Sequence, residues 1–123
     1  MSDNDPRGYG QQGESIACSF LKSKGLRWVA SNFRTKWGEL DLVMQDGIFL
    51  VFVEVKRRKA GDFGEPEESV TRTKKNHMIK SALAFLQKSS REDAPVRFDV
   101  VSVGPYGIRH FPDAFSVENE FYF

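Results

Sequence analysis

The segment GELDLVMQDGIFLVFVEVK, residues 38–56, reads as two strands joined by a tight turn. Glu39 to Met44 forms the first strand, Asp46-Gly47 the turn and Ile48 to Lys56 the second. Asp-Gly between two apolar runs is a strong short-range hairpin signal. The second strand is apolar at consecutive positions from Ile48 to Val53, which fits a strand covered on both faces at the centre of a sheet. Because side chains alternate across a strand, Glu39 and Asp41 share one face while Leu40 and Leu42 take the other. Glu54 and Lys56 share a face with Leu50 and Phe52. Pairing across the turn brings Asp41 and Glu54 to the same edge of the sheet.

Upstream, residues 1–8 form a flexible lead-in. From about Tyr9 to Lys24, Ile16, Ala17, Phe20 and Leu21 recur at helical spacing, and Gly25 caps the helix. Leu26 to Phe33 reads as a strand carrying Trp28, Val29 and Phe33, followed by a turn over Thr35 to Gly38. Downstream, Arg57 to Glu68 is a charged loop punctuated by Gly61, Gly64 and Pro66. Ser69 can cap a second helix that runs to about Lys88 with a core stripe of Ile79, Ala82, Leu83 and Leu86. After a polar link from Ser89 to Ala94 come strands at Val96 to Val103 and Ile108 to Phe111. Ala114 to Phe123 is an apolar and acidic tail, with the domain itself at 9–115 and the tail proper at 116–123. The order αβββαββ indicates an α/β fold, a mixed sheet of about five strands sandwiched by two long helices.

The chain has 123 residues, 40% hydrophobic and 13% aromatic with eleven Phe, enough apolar material for one core without staples. A disordered tail and a disulfide mini-protein are excluded. One cysteine, Cys18, allows no internal disulfide and fits a reducing, cytoplasmic setting. No run approaches the ~18–20 apolar residues of a membrane helix, and the polar start carries no secretion signal.

Two or three carboxylates and a lysine among apolar neighbours are costly to bury unless something pairs them. Lys56 neutralises one carboxylate, not three. Salt bridges on strand ends, Glu54–Lys56 and Glu39–Arg34, are the simpler account of each residue taken singly. For Asp41, Glu54 and Lys56 together on an otherwise apolar hairpin, a hard divalent cation is the better account. Mg²⁺ takes carboxylate, water and phosphate oxygens in octahedral geometry. A metal so placed activates a water while a lysine steadies phosphate charge, which is the chemistry of phosphodiester hydrolysis.

Asp41, twelve intervening residues, then Glu54-Val55-Lys56 resembles the PD-(D/E)xK pattern of the restriction-endonuclease-like superfamily. The longer strings Gly38-Glu39-Leu40-Asp41-Leu42 and Val51-Phe52-Val53-Glu54-Val55-Lys56 resemble the YraN family, bacterial proteins similar to Holliday-junction resolvases. The match takes in Gly13-Glu14 with Ala17, Asn32, Phe63-Gly64, Pro66, Val70, Lys74, Arg97-Phe98-Asp99-Val100 and Asp113-Ala114-Phe115. Leu40 stands where the wider pattern has proline. The resemblance implies a restriction-endonuclease-like three-layer sandwich and a nuclease site using Mg²⁺ or Mn²⁺. In it, Asp41 and Glu54 bind the metal, with the Val55 carbonyl as a third ligand. Lys56 is the catalytic lysine, Glu14 approaches the metal from the first helix, and Glu39 orients Arg34 or supports a ligand. Junction-cutting relatives work as dimers, so a homodimer is a further implication.

Net charge is only +1, so affinity for nucleic acid must come from uneven placement. Residues 56–80 carry eight basic against four acidic side chains, while the two flanks together sum to −3. Arg57, Arg58, Arg72, Lys74 and Lys75 are the candidates for holding phosphates, and DNA the expected partner. On a helical wheel Arg72 and Lys75 continue the face of Ile79 and Leu83, whereas the resemblance marks Lys74; both readings stand. A solvated helix end is the simpler alternative for these charges. Trp28, Trp37, Phe85 and Phe121 to Phe123 are mostly core rather than base-stacking residues. His77 and His110 have no metal-type partner at a familiar spacing, and Cys18 is a core thiol. Beside a nuclease, two rivals follow: a nucleic-acid-binding module that does not cut, and an interaction protein docking through its aromatic tail.

Overall fold

The structure, a computed structural model, describes residues 6–61, 64 and 69–117, with side chains from residue 12 onward. Its elements are α1 (Pro6–Ser23), β1 (Arg27–Thr35), β2 (Gly38–Asp46), β3 (Phe49–Arg57), α2 (Arg72–Lys88), β4 (Val96–Gly104) and β5 (Gly107–Phe115). The expected residues Phe63, Pro66 and Phe121 to Phe123 lie outside the described residues, as does most of the 116–123 tail.

The strands lie in the order β1-β2-β3-β4-β5. All neighbours are antiparallel except β3 and β4, which run parallel with α2 as their crossover. Strand β3 is central, as its two-sided apolar run requires. Leu50 and Phe52 face one way, into a core shared with Met78, Ile79, Ala82 and Leu86 of α2. Val51 and Val53 face the other way, toward Ala17 and Leu21 of α1. Two separate cores on opposite faces make a three-layer α/β sandwich. On the α2 side, Phe52 stacks on Phe98 and Phe98 on Phe115, while Phe85 meets Phe33 and Phe52 edge to face.

Several boundaries and stripes differ from expectation. The hairpin closes on the pair Asp46↔Phe49, so Gly47, at φ 58, and Ile48 form the loop and Ile48 leaves the strand. In α1 the buried line is Gly13, Ala17 and Leu21, and Ile16 is 40% exposed. One residue is about 100° on a helix, so the face centred on Ala17 cannot also hold Ile16. In α2 Leu83 is 55% exposed for the same reason, and Met78 and Phe85 fill the stripe instead. Thr71, not Ser69, caps that helix, its Oγ1 accepting from the Lys74 N–H at 3.1 Å. α1 ends as expected at Gly25, φ 97, with Leu26 N–H on Leu21 O and Gly25 N–H on Lys22 O.

Strand β5 is nine residues rather than four. Pro112 and Asp113 read as a strand stop, but an edge strand tolerates proline and a bulge absorbs the irregularity. The register slips between Phe98 and Val100, Asp113 turns to φ 53, and its N–H donates to Asp99 Oδ1 at 3.0 Å. Ala114 and Phe115 therefore belong to the sheet, not to the tail.

Candidate metal centre

The β2–β3 ladder begins at the turn and its last pair is Leu42↔Val53. One step further, where Asp41 would face Glu54, the carboxylate takes over from the backbone: Val55 N–H donates to Asp41 Oδ2 at 2.9 Å. Asp41 thus closes the mouth of the hairpin with its side chain. On its other flank, β1 carries the second irregularity, Asn32 at φ 54, between the pairs Ser31↔Leu42 and Phe33↔Leu40. Positive φ is tolerated by Asn better than by most side chains. With β3 departing on one side and Asn32 kinked on the other, β2 re-aims between residues 40 and 42. Leu40 enters the α2-side core and Leu42 the α1-side core, so they do not share a face as simple alternation predicts.

This break gathers carboxylates from three elements. Ligand-capable oxygens of Glu14 from α1 and Glu39 and Asp41 from β2 all lie within 4.8 Å of one another. Asn32 Nδ2 bridges two of them, donating to Glu14 Oε2 at 2.6 Å and Glu39 Oε1 at 2.8 Å. Glu39 Oε2 also meets Arg34 Nε at 3.2 Å. From β3, the Glu54 carboxyl, 5% exposed, lies in hydrogen-bond contact with Asp41. Its Oε2 is 3.7 Å from Lys56 Nζ and 3.8 Å from Lys74 Nζ. Four acids and two lysines therefore meet at the carboxyl end of β3.

The crowding registers electrostatically. Burial, reinforced by Asp41, pushes Glu54 up to about 8 against the pull of Lys74 and Lys56. Burial pushes Glu14 up to about 7, with Asp41 and Glu39 adding to it and the Asn32 hydrogen bond opposing. Lys56, Lys74 and Arg34 set three positive charges against four carboxylates, and the buried acids Glu54 and Glu14 hold their protons more tightly than usual. A hard cation is the alternative neutraliser. Around Mg²⁺, ligand oxygens at ~2.1 Å sit about 3 Å apart when cis and about 4.2 Å when trans, and the Glu14, Glu39 and Asp41 oxygens, within 4.8 Å of one another, are near that spacing. The donor set, all oxygen, fits Mg²⁺ or Mn²⁺.

Of the residues expected at the site, Asp41, Glu54, Lys56, Glu39 and Glu14 are together, and Val55 is bound through its N–H. Among the expected phosphate holders, Lys74 reaches the cluster. Lys75 instead lies 5.6 Å over the Phe115 ring, and Arg72 is exposed at the first position of α2. Arg57 and Arg58 part company: Arg57 Cδ lies beside Gly13 of α1, whereas Arg58 packs by Gly104 at the end of β4 and its Nη2 donates to Gly64 O, in the segment between β3 and α2, at 3.1 Å. Asn32, read from the sequence only as a point of resemblance, is the strut between two of the acids. An asparagine interrupting an apolar strand is the signal that could have found it. His110 is held by an acid across the sheet: Nε2 is 2.7 Å from Asp99 Oδ2, and Arg97 grips the same fully buried carboxylate. That contact crosses strands and leaves no mark in sequence spacing.

The description "Uncharacterised protein family UPF0102" matches residues 13–103, from the helix glycine beside the site to the end of β4. The chain belongs to the UPF0102 family. This is the family also called YraN. A UPF0102 protein of Thermodesulfovibrio yellowstonii is 42% identical over 106 residues, 86% of this chain and 94% of the relative. One from Geotalea uraniireducens is 42% identical over 118 residues, 92% and 93%. A third, from Symbiobacterium thermophilum, is 44% identical over 99 residues, 80% and 84%. The matched UPF0102 span contains every member of the acidic cluster, Asn32 and both lysines.

Proposed function

We propose that this UPF0102 protein is a Mg²⁺- or Mn²⁺-dependent nuclease that hydrolyses phosphodiester bonds of DNA, with branched or flapped DNA as its substrate. The observation that carries the reading is the convergence of Glu14, Glu39, Asp41 and Glu54 beside Lys56, with too little positive charge to balance them. Glu14, Glu39 and Asp41, whose oxygens lie within 4.8 Å of one another, would hold the metal, with Asn32 bridging Glu14 and Glu39 and Glu54 completing the site from β3 beside Asp41. The bound metal supplies Lewis acidity toward the phosphate and a water of lowered pKa. Lys56 Nζ orients the attacking water and draws charge from the phosphate oxygens. Lys74, across Glu54, steadies the same phosphate from the start of α2. In the hydrolysis the water oxygen bonds to phosphorus, the bond to the departing nucleotide oxygen breaks, and that oxygen leaves with a proton.

The test is cleavage of flap, junction and plain duplex substrates with Mn²⁺ or Mg²⁺. Asp41→Ala and Lys56→Ala are each expected to lower cleavage at least 100-fold in variants that circular dichroism shows to be folded, with some loss of melting temperature for Asp41→Ala, which leaves the Val55 N–H without its acceptor. Cleavage that survives both substitutions overturns the proposal.

A further inference from the structure

Away from the acids, the flank where α2 lies against β1 is basic along its length. Two contacts tie the helix to that edge of the sheet: Ser81 Oγ meets Thr35 Oγ1 at 2.7 Å, and Phe85 meets Phe33 edge to face at 5.2 Å. Neither element contains an Asp or Glu, whereas β1 carries two arginines and α2 five basic side chains. At one end of the flank, Arg34 and Lys74 reach Glu39 and Glu54 of the acidic cluster. Further along, Lys88 lies 5.7 Å over the Phe33 ring. At the far end, Arg27, Trp28, Val29, Gln45 and Arg91 line an open depression of about 340 Å³. The backbone fixes both arginines there. Arg27 pairs with Gln45 in the sheet, and Arg91 follows the left-handed Ser90, φ 58, with its N–H on Leu86 O at 2.8 Å. Neither guanidinium has a partner among the described residues. Acids close in sequence do not cancel them: Asp46 is held by Arg97 at 2.9 Å, and the exposed Glu92 and Asp93 stand outside the lining of the depression.

We infer that this flank is the track of a duplex DNA arm leaving the acidic cluster, with Arg27 and Arg91 gripping the arm's backbone at its far end. The inference rests on the nuclease reading, which sets where the track begins. Two unpaired guanidiniums on one depression are an anion site, and the planar fork of each matches the oxygens of a phosphate. Length follows from the elements. Arg27 and Arg34 are seven residues apart on β1, about 23 Å at ~3.3 Å per residue. Lys74 to Lys88 along α2 rises about 21 Å at ~1.5 Å per residue. DNA advances ~3.4 Å per base pair, so the grip falls about seven base pairs from the cut. A straight track with fixed cations at both ends suits a stiff rod such as a duplex, whose persistence length is about 150 base pairs. These contacts are to backbone alone and carry no sequence preference.

The experiment titrates the full chain, in EDTA so that nothing is cut, into two flapped oligonucleotides. Each has one duplex arm, of four or of twelve base pairs, closed by an uncharged linker. The parent is expected to bind the long arm at least tenfold more tightly, because only that arm reaches the far arginines. Arg27→Ala and Arg91→Ala should each lower the slope of log affinity on log salt by about 0.9 with the long arm and leave the short arm unchanged. In the double variant the advantage of the long arm should shrink to about twofold. Lys22→Ala, which removes an exposed cation from α1 on the opposite face of the sheet, is the control and should alter neither slope. All these side chains are exposed, so melting temperature reports that each variant folds. Equal binding of the two arms by the parent, equal loss on both arms in the double variant, an effect of Lys22→Ala as large as that of Arg27→Ala, or no binding at all each overturns the track. A chain that shows the arm-length step yet cuts nothing with Mn²⁺ sinks the hydrolytic reading and leaves the track standing.

Discussion

Asn32 does two jobs that pull against each other in substitution. Its backbone holds φ 54, and its amide joins Glu14 to Glu39. Asn32→Gly keeps the backbone at little strain but leaves the two acids unbridged; Asn32→Ala loses both. Alanine is expected to cost about 1 kcal/mol more stability than glycine in urea unfolding, because a β-carbon at positive φ is strained. Both variants should bind Mn²⁺ at least tenfold more weakly than the parent by calorimetry, in line with loss of a supporting hydrogen bond. The acids themselves were legible in the sequence, since Asp41, Glu54 and Lys56 are charges in an apolar hairpin. Asn32 was not: its role depends on a local backbone angle and on a helix that arrives from eighteen residues away.

Among the elements, β5 shows where reading along the chain runs out. Pro112 and Asp113 carry ordinary strand-stop signals, and what overrides them is Asp99 on the neighbouring strand. Burial alone would raise the Asp99 carboxyl, but hydrogen bonds from His110, Arg97 and the Asp113 backbone more than offset it and hold it below its usual range. Asp99→Ala leaves Arg97 and His110 without their buried partner and should cost about 3–5 kcal/mol in urea unfolding. A carboxyl whose folded pKa is depressed stabilises the fold above its unfolded value and loses that contribution as pH falls through the folded one. The difference between the parent and Asp99→Asn is therefore expected to be large at pH 7 and to shrink below about pH 4. The central strand was legible because six successive apolar residues admit few other placements. The helix stripes were partly misread, since spacings of three and four fit two adjacent faces and only packing against the sheet chooses between them.

At the scale of the whole molecule, the acidic cluster sets how stability responds to pH and metal together. Glu54 and Glu14 hold their protons more tightly folded than unfolded. Without metal, stability should therefore fall as pH rises from about 4.5 toward 8, the window between their ordinary and raised values. Glu54→Gln mimics the protonated acid and is expected to raise the melting temperature in EDTA at pH 8 by several degrees, with no gain at pH 4.5. Millimolar Mn²⁺ should reverse the trend in the parent, stabilising more at pH 8 than at pH 6, because metal and protons compete for the same oxygens. Differential scanning calorimetry at three pH values, with and without Mn²⁺, checks the sign of each change.

One consequence reaches past any single assay. Asp41 accepts a hydrogen bond from the Val55 amide at the point where the two strands separate, so the group that would hold a metal in the proposed nuclease also belongs to the frame. Even a relative with no nuclease activity would need an acceptor there to keep the hairpin mouth shut. An acid persisting at that place would then be masonry, and if the proposed hydrolysis holds, Lys56, whose ammonium meets the Glu54 carboxylate at 3.7 Å, would be the truer marker of activity.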